Sequence, residues 1–194
     1  MSLQANALIT VAEAKDHLNI PSSETKYDSQ IEDLVNIMAD MFDCYCKRTL
    51  KQADHTEYLD GEGDDTLYVT HYPINTSVSS VVMYYDLDRS YDADTKLEND
   101  ELAIYASIGK IRWDNGVFAE WPQCIKITYN GGYATVPGDL KIATKEAIAF
   151  FYKRKRESIE GVSSVSTSQG GSVSYTDDDL PKPVRAILDR YKRW

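Results

Sequence analysis

The sequence predicts an α+β fold in which helices from both ends of the chain form a bundle, with a small antiparallel β module inserted between them. Apolar residues recur with helical spacing near each end, and they alternate with polar residues through most of the middle. With 194 residues, of which 42% are hydrophobic, the chain is long enough for one core and a small second module. We therefore expect a helical core at 1–52 and 137–194 and a β domain at 53–136.

Two helices are expected in the first fifty residues. Thr10 and Glu13 have the spacing of a capping box, in which each side chain satisfies a backbone donor at the start of a helix. This helix is predicted to end near residue 18. A longer helix is predicted at 28–48, because apolar residues return there every three or four positions. They are Ile31, Leu34, Val35, Met38, Met41, Phe42 and Tyr45.

The pattern changes to strand-like alternation after Lys51. Segments 56–59 and 66–69 flank a turn-rich acidic loop, so they are predicted to pair as a hairpin. An acidic excursion at 86–101 separates the later strands. Segments rich in β-branched and aromatic residues predict those strands at 80–85, 108–113 and 124–129.

The last third of the chain predicts two more helices joined by an arm. Pro137 suits the first turn of a helix, and this helix ends in the basic run Lys153, Arg154, Lys155 and Arg156. Cations there oppose the helix dipole, a structural role that we favour over nucleic-acid binding. The Ser- and Gly-rich segment 157–176 is expected to be a flexible arm. A terminal helix follows, and one face of it carries Val184, Ile187, Leu188 and Tyr191. This helix is expected either to fold back on its own core or to dock on another protein.

Charge is divided unevenly along the chain, whose net charge is −10. Residues 1–140 hold 24 acidic and 10 basic side chains, whereas residues 141–194 hold 7 acidic and 11 basic. Unlike surfaces steer together within a Debye length of roughly 8 Å, so this division suits contact between neighbouring copies. The alternative is a charged surface that only maintains solubility.

No catalytic or metal site is predicted, and no cofactor is expected. Asp60, Glu62 and Asp64 alternate like the start of a calcium loop. Asp65 and His71, however, stand where such a loop has glycine and glutamate. The sequence also has no phosphate-binding glycine loop and no Gly-x-Ser-x-Gly nucleophile elbow. An enzyme or a nuclease accessory factor is therefore disfavoured.

The cysteines and the hydropathy pattern indicate a reducing cytoplasm and no membrane partner. Cys44, Cys46 and Cys124 are an odd number without a secretory spacing, and the N-terminus has no signal-peptide pattern. No stretch approaches the roughly 20 apolar residues that span a bilayer.

Five short segments occur in a characteristic order. They lie at 8–18, at 45–50, at 130–143, at the helix ending with Phe151-Tyr152-Lys153-Arg154, and at 180–191. Their order and spacing resemble the bacteriophage head-to-tail connector family of adaptor and head-completion proteins. The β module at 53–136 is similar to the insertion in the larger variant of that family.

The resemblance implies a structural protein of the virion neck that is made in the host bacterial cytoplasm. Its copies would form a ring homo-oligomer, such as a dodecamer, on the portal protein. The ring would extend the DNA channel, through which double-stranded DNA passes without specific binding. It would also offer a docking surface to a tail-side stopper or tail completion protein.

Three sets of residues are the candidate contact sites under this resemblance. The candidate portal-binding residues are Val184, Ile187, Leu188, Tyr191 and Trp194. The candidate inter-subunit residues are Lys153, Arg154, Lys155 and Arg156. The candidate acidic channel or surface loop consists of Asp60, Glu62, Asp64 and Asp65.

Two other functions remain open at the level of the sequence. The chain could be a monomeric adaptor module that binds one protein partner through its C-terminal helix. It could also be another neck or tail completion protein, such as a stopper or a tail terminator.

Overall fold

A computed structural model of the chain describes residues 2–76, 81–156, 164–166, 172–174 and 180–193. These residues contain four α-helices and nine strands, which confirms the α+β fold class. The chain divides into two compact units. The helical unit comprises Met1–Cys46 and Pro137–Lys192, and the β unit comprises Lys47–Val136 and Arg193–Trp194. That the two units are separate folding domains stays a prediction.

The first two helices of the helical unit are α1, Val11–His17, and α2, Asp28–Cys46. The predicted capping box is confirmed: the Glu13 N–H donates to Thr10 Oγ1 at 3.2 Å, and the Thr10 N–H donates to Glu13 Oε2 at 2.8 Å. The predicted stripe of α2 faces the core, where Ile31, Val35 and Phe42 are fully buried. Both helices therefore follow from local sequence signals.

The loop between α1 and α2 is held by one buried lysine. The Lys15 ammonium donates to the carbonyl oxygens of Ser22 and Glu24 at 3.1 and 2.7 Å. It also pairs with the Asp28 carboxylate at 2.7 Å. Because a buried ammonium needs all its donors satisfied, Lys15 fixes the course of this loop.

The other two helices are α3, Gly138–Arg156, and α4, Lys182–Leu188. Helix α3 contacts each of the other three helices, so it forms the centre of the helical unit. One face of α3 is fully buried, at Leu140, Ala143, Ala147 and Ile148.

The β unit contains two antiparallel sheets. One has the strand order β1-β7-β3-β4, with β1 at Ala53–Gly61, β3 at Val81–Tyr85, β4 at Lys96–Leu97 and β7 at Trp121–Gly131. The other has the order β2-β6-β5, with β2 at Thr66–Tyr68, β5 at Leu102–Tyr105 and β6 at Lys110–Trp113. A shared core joins the two sheets, and it includes Leu67, Ile111, Met83, Ile125 and Ile127.

The predicted hairpin between the first two strands is wrong. Strand β1 pairs with β7, where Thr56 lies opposite Thr128, and β2 pairs with β6, where Leu67 lies opposite Ile111. The acidic loop at 62–65 therefore carries the chain from one sheet to the other. Alternation identifies each strand but not its partner, because every strand that faces the same core shows the same pattern.

A short ladder lies within the segment that the sequence predicts as a flexible arm. Strand β8, Ser164–Ser166, pairs antiparallel with β9, Ser172–Ser174, an arrangement that composition did not predict. The other residues of 157–176 lie outside the described residues, as do Ser80 and Trp194.

Candidate docking surfaces

The candidate portal-binding helix α4 packs inside the helical unit. Val184 and Leu188 are 1% and 0% exposed, and α4 contacts both α2 and α3. Ile187 and Tyr191 are half-buried, and Trp194 lies outside the described residues. The inward face of α4 therefore packs on its own core, and the portal contact of this helix stays a prediction.

Two tyrosines anchor the end of α4, and sequence reasoning found neither contact. The Tyr45 hydroxyl donates to Asp189 Oδ1 at 2.6 Å, and the Tyr191 hydroxyl donates to Asp139 Oδ1 at 2.5 Å. The hydrogen bond to Asp189, with burial, raises the pKa of Tyr45. These contacts join positions far apart in sequence, so no local pattern indicates them.

The basic run lies in the last turn of α3, as predicted. Lys153, Lys155 and Arg156 are exposed, and the Arg154 guanidinium lies 5.3 Å from the centre of the Phe150 ring. Neither Lys155 nor Arg156 takes part in an ion pair among the described residues. Within the described part of the chain, the helix therefore presents two cations without an ion-pair partner to solvent.

A cleft of about 490 Å³ in the helical unit adjoins this basic end. Tyr27 and Tyr152 form part of its wall, with their rings edge to face at 6.4 Å. Lys155 and Arg156 lie at its rim. The cleft includes part of the loop that Lys15 fixes, so its shape depends on that buried ammonium.

The acidic loop of the β unit is exposed but has an ordered backbone. The Gly63 N–H donates to the Phe118 carbonyl at 2.9 Å, and the Phe118 N–H donates to the Asp64 carbonyl at 2.9 Å. Asp60 Oδ1 accepts the Gln123 N–H at 2.7 Å. No ion pair among the described residues involves the loop's carboxylates, which belong to Asp60, Glu62, Asp64 and Asp65.

Exposed aromatic rings, which no sequence pattern had indicated as part of a site, lie beside this loop. Tyr58 and Tyr68, 51% and 56% exposed, line a cleft of about 530 Å³. The carboxylates of Asp60, Glu62 and Asp64 also line it. We call these five residues the acidic-aromatic cleft. Its wall also includes Arg193. Alternation along β1 could have indicated that Tyr58 faces outward, but not that β2 brings Tyr68 to the same cleft.

A partly buried polar network supports β1 at Glu57, on the face opposite Tyr58. The Glu57 carboxylate accepts hydrogen bonds from the Thr70 N–H, from the Thr70 hydroxyl and from the Tyr129 hydroxyl. The His71 N–H donates to the Tyr129 oxygen at 2.9 Å. Burial, and then the hydrogen bond to Glu57, raises the pKa of Tyr129. The network links β1, β7 and the segment after β2, so its role is structural.

Two histidines stack beside this network. The rings of His55 and His71 lie 3.8 Å apart at an angle of 11°. Burial, followed by the proximity of His55, lowers the pKa of His71 to about 4. His71 is therefore neutral near pH 7, and its Nδ1 accepts the Thr49 N–H at 2.8 Å.

The described part of the chain offers no metal site in this network or elsewhere. Within those ranges, no three His, Cys, Asp or Glu side chains are grouped so that they could hold a metal ion. None of the helices described there combines the length and the apolar character that a membrane span requires.

Comparison with known proteins finds a matching family and solved structures with the same fold. A family model described as "Head completion protein" matches residues 7–194. A chain from the neck of an empty GTA particle, computed with C6 symmetry, has a TM-score of 0.61 at 14% identity, over 99% of this chain and 93% of that one. No curated protein matches the chain.

Two further solved structures have the same fold. A chain from the virion of the native gene transfer agent (GTA) particle gives a TM-score of 0.62 at 15% identity, over 99% of this chain and 92% of that one. A chain from the neck of the native GTA particle, computed with C12 symmetry, gives 0.63 at 14% identity, again over 99% and 92%. At such low identity the likeness is one of fold.

Proposed function

The chain belongs to the head completion protein family, and from this premise we propose that it is a head-to-tail connector in the virion neck of a phage-like particle. The observation that carries the proposal is the extent of the family match, which spans residues 7–194 and so includes both units. The shared fold with chains from GTA necks supports the same location. The family is one of structural proteins, which favours a role without catalysis.

We infer that copies of the chain assemble as a ring on the portal protein and extend its DNA channel. The C12 symmetry with which one GTA neck structure was computed supports a ring of twelve copies. A ring requires a heterologous interface, in which two different patches of each copy meet. The basic end of α3 is the candidate for one of these patches.

The contact with the portal is proposed for the outer part of α4 and the residues after it. Val184 and Leu188 are buried in the helical unit, so they hold the helix in place. Ile187 and Tyr191 are half-buried, and Trp194 follows them. These three side chains would form the portal contact, while exposed surface elsewhere would receive the tail-side stopper or tail completion protein.

The acidic character of the chain suits a channel that conducts DNA without holding it. The net charge of −10 repels phosphates, whereas proteins that bind duplex DNA neutralise them with Lys and Arg. We therefore propose that double-stranded DNA passes the ring without specific binding.

Deletion of the gene from the phage-like genome that encodes the chain tests this function. We expect heads and tails to accumulate separately, because the joint between them is missing, and the wild-type gene supplied in trans should restore tailed particles. Negative-stain electron microscopy of the lysates would count the particles. A normal yield of tailed, infectious particles without the gene would contradict the proposal.

A further inference from the structure

The acidic-aromatic cleft has the composition of a site for basic side chains. Three carboxylates and two exposed tyrosine rings line it, and the rim also carries the Arg193 guanidinium. A cation placed between carboxylates and ring faces is attracted by both. Arg193 donates to Thr70 Oγ1 at 2.6 Å, so its guanidinium is already engaged on one side.

We propose that this cleft binds the basic end of α3 from a neighbouring copy, through Lys155 and Arg156. The proposal rests on the proposed ring and names the surfaces that meet in it. The charges match: three carboxylates and one guanidinium leave the cleft with two negative charges, and Lys155 and Arg156 supply two positive ones. Neither set is paired within the described part of its own chain.

The two surfaces are different patches of the chain, as the heterologous interface of a ring requires. The cleft belongs to the β unit, and Lys155 and Arg156 belong to the helical unit. When the cleft of one copy binds the basic end of the next, one patch of each kind stays free on the pair, so the contact can continue from copy to copy until a ring closes.

This contact changes the role of the acidic loop. Glu62 and Asp64 lie in the inter-subunit interface and not on the wall of the DNA channel. The interface is rich in charge and partly exposed, so salt weakens it by screening. Tyr58 and Tyr68 would lose their exposure on assembly.

Charge reversal on each side, alone and combined, tests the contact in the full-length chain. One variant carries Glu62→Lys and Asp64→Lys, a second carries Lys155→Glu and Arg156→Glu, and a third carries all four. Asp60 is kept, because its Oδ1 accepts the Gln123 N–H. The matched control reverses two exposed carboxylates elsewhere in the β unit, Asp94→Lys and Asp100→Lys.

The readout is the fraction of portal rings that carry a second, stacked ring in electron micrographs. Each double variant should lower this fraction at least about tenfold, as expected when like charges meet at an interface. The four-residue variant should recover most of the loss, and the control should match the wild type. Stacked rings at wild-type frequency with both double variants would overturn the inference and leave the connector function intact.

A second measurement does not depend on ring formation. The peptide Phe151-Tyr152-Lys153-Arg154-Lys155-Arg156 is titrated into the full-length chain, and the backbone amide signals of residues 60–68 are followed by NMR. Shifts that disappear in the Glu62→Lys and Asp64→Lys variant, and with a peptide whose four basic residues are glutamate, support the contact. If the peptide causes no shifts, or the same shifts in the Glu62→Lys and Asp64→Lys variant, the proposed contact is overturned even if rings form.

The two measurements separate the two claims. Specific peptide binding by a wild-type chain that never stacks on portals would contradict the proposed function but support the cleft assignment. Stacked rings that are insensitive to either charge reversal, together with no peptide binding, would support the connector function and contradict the cleft assignment.

Discussion

The candidate contact residues of the helical unit and of the β unit differ in their burial. In the helical unit, the apolar face of α4 is turned inward, and Val184 and Leu188 are buried in the core. In the β unit, a network around Glu57 holds one side of β1, while Tyr58 on its other side and the acidic loop after the strand are exposed. The difference indicates that mutations in the first set should affect folding, and mutations in the second set should affect assembly.

The largest expected effect on folding is at the inward face of α4. Leu188→Ala removes a fully buried side chain and should lower the free energy of unfolding by about 2–5 kcal/mol. Ile142→Ala, at a position of α3 that is 57% exposed, is the control and should change it by less than about 0.5 kcal/mol. Chemical denaturation followed by circular dichroism measures both. Equal effects of the two variants would mean that α4 is not held by this face.

A smaller loss is expected from the polar network of the β unit. Tyr129→Phe removes the hydroxyl that donates to Glu57 and accepts from the His71 N–H, so both groups lose a partner. The free energy of unfolding should fall by about 1–3 kcal/mol. Tyr58→Phe, on the exposed face of the same strand as Glu57, should leave it within about 0.5 kcal/mol. Identical stability of the two variants would show that the network contributes nothing net.

The stacked histidines predict a dependence of stability on pH. His71 has its folded pKa lowered to about 4 by burial and by His55, with Arg193 and Arg48 adding to this and Glu57 opposing it. The unfolded chain binds the proton on this histidine more tightly than the folded chain. The stability that neutral His71 contributes to the folded state is therefore complete above about pH 6.5 and is lost as the pH falls toward about 4. After allowance for partial exposure, the loss should be on the order of 1 kcal/mol.

A variant that cannot titrate isolates this effect. Asn at position 71 offers an amide oxygen to the Thr49 N–H in place of His71 Nδ1, so His71→Asn keeps an acceptor but not the titration. Denaturation midpoints at pH 7 and pH 5 should differ less in His71→Asn than in the wild type. The same difference in both proteins would assign the pH dependence to other groups.

The smallest effect on folding is expected at the acidic loop. Glu62→Gln and Asp64→Asn remove two exposed charges that form no ion pair among the described residues. The free energy of unfolding should change by less than about 0.5 kcal/mol, because exposed charges contribute little to stability. A loss above about 1 kcal/mol would show that these carboxylates support the fold of the β unit.

The helices could be predicted from sequence because their signals are local. The capping box of Thr10 and Glu13, the stripe of α2 and the basic end of α3 all lie within a few turns of chain. The strands near 81–85, 110–113 and 121–131 were located for the same reason. The hairpin was wrong because strand pairing joins positions such as Thr56 and Thr128, which are 72 residues apart.

The candidate site could be predicted only in part. The acidic residues and the basic run are visible in the sequence, but the cleft beside Asp60 requires Tyr58 and Tyr68 to come from strands with different partners. The sequence left two placements open for the apolar face of α4, because an amphipathic helix has the same pattern whether it packs on its own core or on another protein. The supporting network of Glu57 and Tyr129 joins distant strands and has no local signature.

Electron microscopy of the purified chain mixed with portal rings encoded by the same genome tests the central claim most directly. The connector function predicts a closed ring of this chain stacked coaxially on the portal, with an open channel through both. Free monomers beside bare portal rings, at concentrations where the chain is folded, would contradict it and would favour a monomeric binding module.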